Sequence, residues 1–138
     1  MNKLFLLLPL LLAACTDPVV VIPGGQLSGV VAEAPERWTS VADVVQLETR
    51  PSDPYSVNIW ALVDQGNLYL ATDKAQWLPH IAEDNRVRLS SDGIIYELAA
   101  TPVTDPSEKA SMLAAYKKKY NYDAEGNSMS SPFRLSKR

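Results

Sequence analysis

From Gln26 onward the apolar positions recur mostly every second residue, the period of a half-buried strand. Leu27, Gly29 and Val31 predict a short first strand, stopped by Ala34-Pro35-Glu36-Arg37-Trp38. Residues 44–50 predict a second, with Val45, Leu47 and Thr49 on one face. Pro51-Ser52-Asp53-Pro54 then forces a turn or extended corner. Residues 56–63 alternate again, with Val57, Ile59, Ala61 and Val63 opposite Ser56, Asn58, Trp60 and Leu62. Asp64-Gln65-Gly66-Asn67 is a hairpin loop in which Gly66 suits a positive φ, and residues 68–72 return as the partner strand.

The period changes twice. Residues 76–84 predict a short helix with Trp77, Leu78 and Ile81 as its buried stripe. An early start capped by Asp73 and Gln76 puts Pro79 inside the helix; a later start puts it in the first turn, where its missing N–H costs nothing. Residues 86–90, the tight turn Ser91-Asp92-Gly93 and residues 94–103 form a hairpin. Asp105, Pro106 and Glu108 then mark the clearest helix start in the chain, as N-cap, N1 and N3. Met112, Tyr116 and Tyr120 share one face of that helix, with Leu113 beside them. Beyond a polar loop at 123–131, Phe133-Arg134-Leu135 predicts a last strand. Too few helices separate the strands for a parallel, doubly wound sheet. The pattern predicts a mainly β domain, a small antiparallel β-barrel with two helices, over residues 26–138.

The first residues follow other rules. Met1-Asn2-Lys3 is a short cationic start, Leu4 to Leu12 is apolar apart from Pro9, and Leu12-Ala13-Ala14-Cys15 ends the run. This is the grammar of a secretory signal with a small-residue cleavage site. The cysteine placed there resembles the lipobox of bacterial lipoproteins. That resemblance implies a signal peptide at 1–14, lipidation of Cys15 and a tether over residues 15–25, whose Val19-Val20-Val21-Ile22 run either belongs to the tether or adds an edge strand. Thr16, rather than an aspartate, follows the cysteine, which implies sorting to the outer membrane, facing the periplasm. The apolar block is shorter than the ~20 residues a spanning helix needs, so the lipid would do the anchoring.

Composition narrows the chemistry. Cys15 is the only cysteine and His80 the only histidine, so disulfides, Cys or His metal clusters and a cysteine nucleophile are excluded from the mature domain. The net charge of −3 becomes −4 once Lys3 is removed, which argues against nucleic acid as a partner. The one basic run, Lys117-Lys118-Lys119, falls at a helix C-terminus, where cations complement the dipole.

Leu47-Glu48-Thr49-Arg50-Pro51, Ser56-Val57-Asn58-Ile59-Trp60, Leu68-Tyr69-Leu70, Trp77, Asn85-Arg86-Val87-Arg88-Leu89 and Ile95-Tyr96-Glu97-Leu98 together resemble the flavin-binding split-barrel superfamily, which includes pyridoxamine-phosphate oxidases and deazaflavin-dependent nitroreductases. The resemblance implies a homodimer with clefts at the subunit interface that hold FMN or a deazaflavin in active members. The chain departs from that pattern in having no full set of flavin-phosphate ligands. Arg50 and Lys74 are the nearest basic candidates, and export separates the chain from cytoplasmic flavin loading.

Five residues stand out as a candidate binding set. Arg50, beside a Pro-rich corner, fits a phosphate or a pairing with Glu48 or Asp53. Asn58 and Trp60 share a strand face and fit a small planar ligand, or Trp60 serves a dimer core. Lys74 precedes a helix start, where an anion also meets free N–H groups. Arg88 lines a cleft or faces water with Arg86. His80 carries no catalytic pattern. The expectation is an envelope domain that binds a small ligand or partner without retained catalysis; the alternative is a flavin- or deazaflavin-dependent oxidoreductase.

Overall fold

A computed structural model of the chain describes residues 16–121 and 129–138. The expected signal segment, Cys15 and most of the polar loop after the second helix lie outside the described residues. The elements run β1 (Val30–Ala32), β2 (Val44–Thr49), β3 (Tyr55–Trp60), β4 (Leu62–Asp64), β5 (Asn67–Thr72), α1 (Leu78–Glu83), β6 (Arg86–Ser91), β7 (Ile94–Pro102), α2 (Pro106–Tyr120) and β8 (Ser131–Lys137).

The strands form one sheet in the order β3-β2-β6-β7-β8-β5-β4, with β1 paired to β7 off this path. Every pair along the path is antiparallel, as the alternation predicts. β1 alone runs parallel to its neighbour, Val30 opposite Ile94. The single strand expected over 56–63 is two, broken at Ala61, and β3 and β4 stand at opposite ends of the strand order. Two strands joined by one residue lie at opposite edges only if the sheet curls until those edges meet. Ala61 is that joint. It is fully buried, its N–H donates to the Asp43 carbonyl at 3.0 Å, and its own carbonyl accepts Tyr120 Oη–H and Lys119 Nζ. The result is a curled half-barrel with two helices.

The period-2 faces sort into two cores. Val45, Leu47, Leu68, Leu70, Val87, Leu89, Leu98 and Leu135 point inward, closed at one end by Trp77 and Ile81 of the α1 region. Leu62 and Tyr69 point the other way, onto Met112 and Tyr116 of α2. Trp38, which no pattern placed, packs edge-on against Tyr96 at 5.0 Å. The turns follow local chemistry. Gln65-Gly66 and Asp92-Gly93 carry paired positive φ values of 50° and 81°, and 50° and 80°, the geometry of two-residue hairpins. Asp105 caps α2 through the Ser107 N–H, and Asn121 ends it in the left-handed region. α1 takes the later start, with Trp77 as N-cap and Pro79 in its first turn; Asp73 makes no cap and accepts Ser130 Oγ–H instead.

The Thr16–Gly25 stretch lies across β3. The N–H of Gly24 donates to the Ser56 carbonyl at 2.8 Å, and the Ser56 N–H returns to Gly24 at 2.9 Å. A Cβ on Gly24 would stand 2.4 Å from the Thr16 carbonyl oxygen, so only glycine fits this crossing.

Candidate functional site

The curl leaves a seam where β3 faces the end of β5 under α2. A cavity of about 420 Å³ opens there, within the range of small-ligand pockets. Asn58, Ile59 and Trp60 of β3 form one wall, Ala71 and Thr72 of β5 the other. Tyr116 closes the floor, and Val20, Val44 and Met129 stand at the rim.

Trp60 is 46% exposed, the only one of the three tryptophans not buried. Tyr120 stacks flat on one indole face, with centroids 4.8 Å apart and planes within 4°. That contact fixes the ring and leaves its other side for a planar partner. The side chains of Asn58 and Thr72 make no hydrogen bond to another described residue. An amide and a hydroxyl without partners beside an ordered indole can orient a ring that carries donors and acceptors. Tyr116 is already committed: its hydroxyl donates to the Tyr69 carbonyl at 2.9 Å, with the Trp60 carbonyl at 3.3 Å. Burial pushes this phenol far above its ordinary range, so it stays neutral.

Two of the five expected binding residues meet here, Asn58 and Trp60. The other three do not line this cavity. Arg50 adopts a positive φ of 58° at the end of β2 and turns onto the corner behind it. Its Nε donates to the Asp53 carbonyl at 2.7 Å, its Nη2 lies 3.3 Å from the Asp53 carboxylate, and its Nη1 is 3.1 Å from His80 Nε2. Arg88 is partly buried and does not line this cavity. It stands directly across from Glu48 on β2, with Nη1 3.3 Å from both carboxylate oxygens. Leu27 N–H donates to the same carboxylate at 2.7 Å. Lys74 is exposed on the loop before α1. Of the candidates, Arg50 and Arg88 are thus held by carboxylates of the domain itself.

His80 is more tightly engaged than its sequence context indicated. A guanidinium only donates, so Nε2 accepts from Arg50 and the proton sits on Nδ1. Nδ1–H then donates to Thr49 Oγ1 at 2.8 Å, whose hydroxyl donates to the Tyr55 carbonyl at 3.4 Å. Burial, and after it the Arg50 charge, hold the imidazole below its ordinary value.

Val20, Val44, Thr72, Tyr116, Tyr120 and Met129 were not expected at the site. Tyr116 and Tyr120 carried a signal, their helical spacing, but it marked them only as core. Their contacts to Trp60 and its neighbours span 47 to 59 residues of sequence.

No family model matches the chain, and no curated protein matches it in sequence. Solved structures do match in shape. A conserved hypothetical protein of Mycobacterium tuberculosis superposes with a TM-score of 0.57 at 18% identity, covering 78% of this chain and 86% of that one. An F420-H2 dependent reductase (FDR-A) gives 0.53 at 12% identity, over 72% of this chain and all of the other. A FAD-binding protein of Mesorhizobium loti gives 0.52 at 16% identity, over 70% and 82%. At these identities the likeness is one of fold, and the chain has the split-barrel fold that these proteins share.

Proposed function

We propose that this chain is an envelope domain, anchored by lipid on Cys15, that binds a small planar ligand in the seam beside Trp60. One observation carries the reading: a cavity of about 420 Å³ presents a half-exposed, stacked indole and an unpartnered Asn58 amide. Among the described lining residues there is no carboxylate, histidine, lysine or arginine to move a proton. That lining supports recognition of a ring rather than acid–base chemistry by the protein's own side chains.

A second reading, a flavin- or deazaflavin-dependent oxidoreductase, is favoured by the fold shared with the F420-H2 dependent reductase and the FAD-binding protein. The residues present fit the ring of such a cofactor and do not fit its phosphate. Arg50 and Arg88 are paired, and Lys74 stands outside the seam. A homodimer belongs to either reading, in line with a solved structure of this fold described as a domain-swapped dimer.

Riboflavin, which has the planar ring and no phosphate, distinguishes them from FMN. The full chain should bind riboflavin at least as well as FMN, with Trp60→Ala weakening it by up to about tenfold, the equivalent of one stacking contact of ~1.4 kcal/mol. A yellow preparation that retains FMN far better than riboflavin would establish the second reading. Binding of neither ring would remove the seam as a planar-ligand site.

A further inference from the structure

Two valines stand where turn chemistry and burial both argue against them. The N–H of Val19 donates to the Ile22 carbonyl at 3.0 Å and the N–H of Ile22 returns to Val19 at 2.9 Å, so Val20 and Val21 are the tip of a two-residue hairpin. Such tips favour Gly, Asn and Asp. Here the tip residues are 83% and 87% exposed, and Val19 and Ile22 beside them 54% and 61%. Val20 also lines the cavity that Val44 and Trp60 line, and both of these are exposed as well. Tyr120, which stacks on Trp60, ends α2, and Lys119 beside it is held by the Asp43 carboxylate at 3.0 Å and the Ala61 carbonyl.

We propose that this surface, the Val19–Ile22 hairpin with Val44 and Trp60, docks on a lipid bilayer. The proposal rests on the reading of Cys15 as the lipid anchor. The occupant follows from the chain that precedes the hairpin. Cys15 is only four residues from Val19. At full extension that link spans no more than about 14 Å. An anchored domain therefore keeps the hairpin within about 14 Å of the lipidated residue whatever its rotation. The chemistry of the patch matches the layers it would meet: branched aliphatic side chains at the acyl boundary and an indole at headgroup depth. Among the described residues no helix is long and apolar enough to cross a membrane. Val30, Val31 and Ile94, paired along β1 and β7, form another exposed apolar group.

Trp60 is also the reporter. Trp38 and Trp77 are buried, so lipid-borne quenchers reach Trp60 alone. The full chain is reconstituted into vesicles of phosphatidylethanolamine and phosphatidylglycerol, with plain or brominated acyl chains. Flotation reports anchoring, and tryptophan emission reports docking. Anchored protein should float and lose emission in brominated vesicles. Val20→Ser with Val21→Ser should still float, keep its circular dichroism and lose most of the quenching; Trp60→Phe should lose all of it. Protein that floats with unquenched emission overturns the docking and leaves the anchor standing, as does crosslinking of two copies through this patch. Protein that does not float overturns both, while riboflavin binding remains readable on its own.

Discussion

Replacing Arg88 by methionine tests whether this arginine serves the sheet or a ligand. Glu48 is 4% exposed and stands across the strands from Arg88, with the Leu27 N–H as its other partner. Methionine fills much of the same space and leaves the carboxylate buried with that single donor. Breaking a buried pair from one side costs about 3–5 kcal/mol. Arg88 retains 19% side-chain exposure, so some water already reaches the pair. A loss of about 3 kcal/mol at pH 7 is therefore expected, on the order of a 10 °C fall in Tm. Urea unfolding measures it directly. Glu48→Gln with Arg88→Met should recover at least half of the loss. Riboflavin binding by the folded variant should be unchanged. A variant as stable as the parent but defective in ligand retention would refute this account and return Arg88 to the site.

Two further predictions concern titration. His80 is the only histidine, so its ring signals in NMR are unambiguous. The midpoint should lie below 6.5, because burial and then Arg50 disfavour the charged ring, and Arg50→Gln should raise it. A histidine depressed in the folded state contributes stability above the unfolded value of ~6.5, lost as the pH falls through the folded midpoint. A midpoint at or above 6.5 would dissolve the proposed tautomer. Tyr69 is pushed up to about 12, first by burial and then by its hydrogen bond to Glu108. A raised phenol contributes stability that is complete below about pH 10 and is lost as the pH climbs through about 12. Denaturant unfolding across that window should show the decline, and Tyr69→Phe should flatten it; an unchanged slope would count against the assignment.

Much of the scaffold was legible because its causes are local. Asp105-Pro106 starts α2, Pro79 delays α1, Gln65-Gly66 and Asp92-Gly93 close the hairpins, and alternation marks the strands. Each is decided by a few neighbouring residues. Asn58 and Trp60 were legible for the same reason, two polar-face positions on one strand. Arg88 was not, because its fate depends on Glu48, 40 residues earlier, lying directly opposite. Arg50 turns on a positive φ that its residue type does not announce.

The sequence by itself determined the antiparallel strands, the two helices, and the absence of a second cysteine or histidine. Only the tertiary structure decided that the chain breaks at Ala61 and sends β3 and β4 to opposite edges. Periodicity reports which face of a strand is apolar; it carries nothing about which strands will be neighbours. The seam, the cavity and the Trp60–Tyr120 stack all arise from that closure, so they exist only once edges distant along the sheet have been brought together.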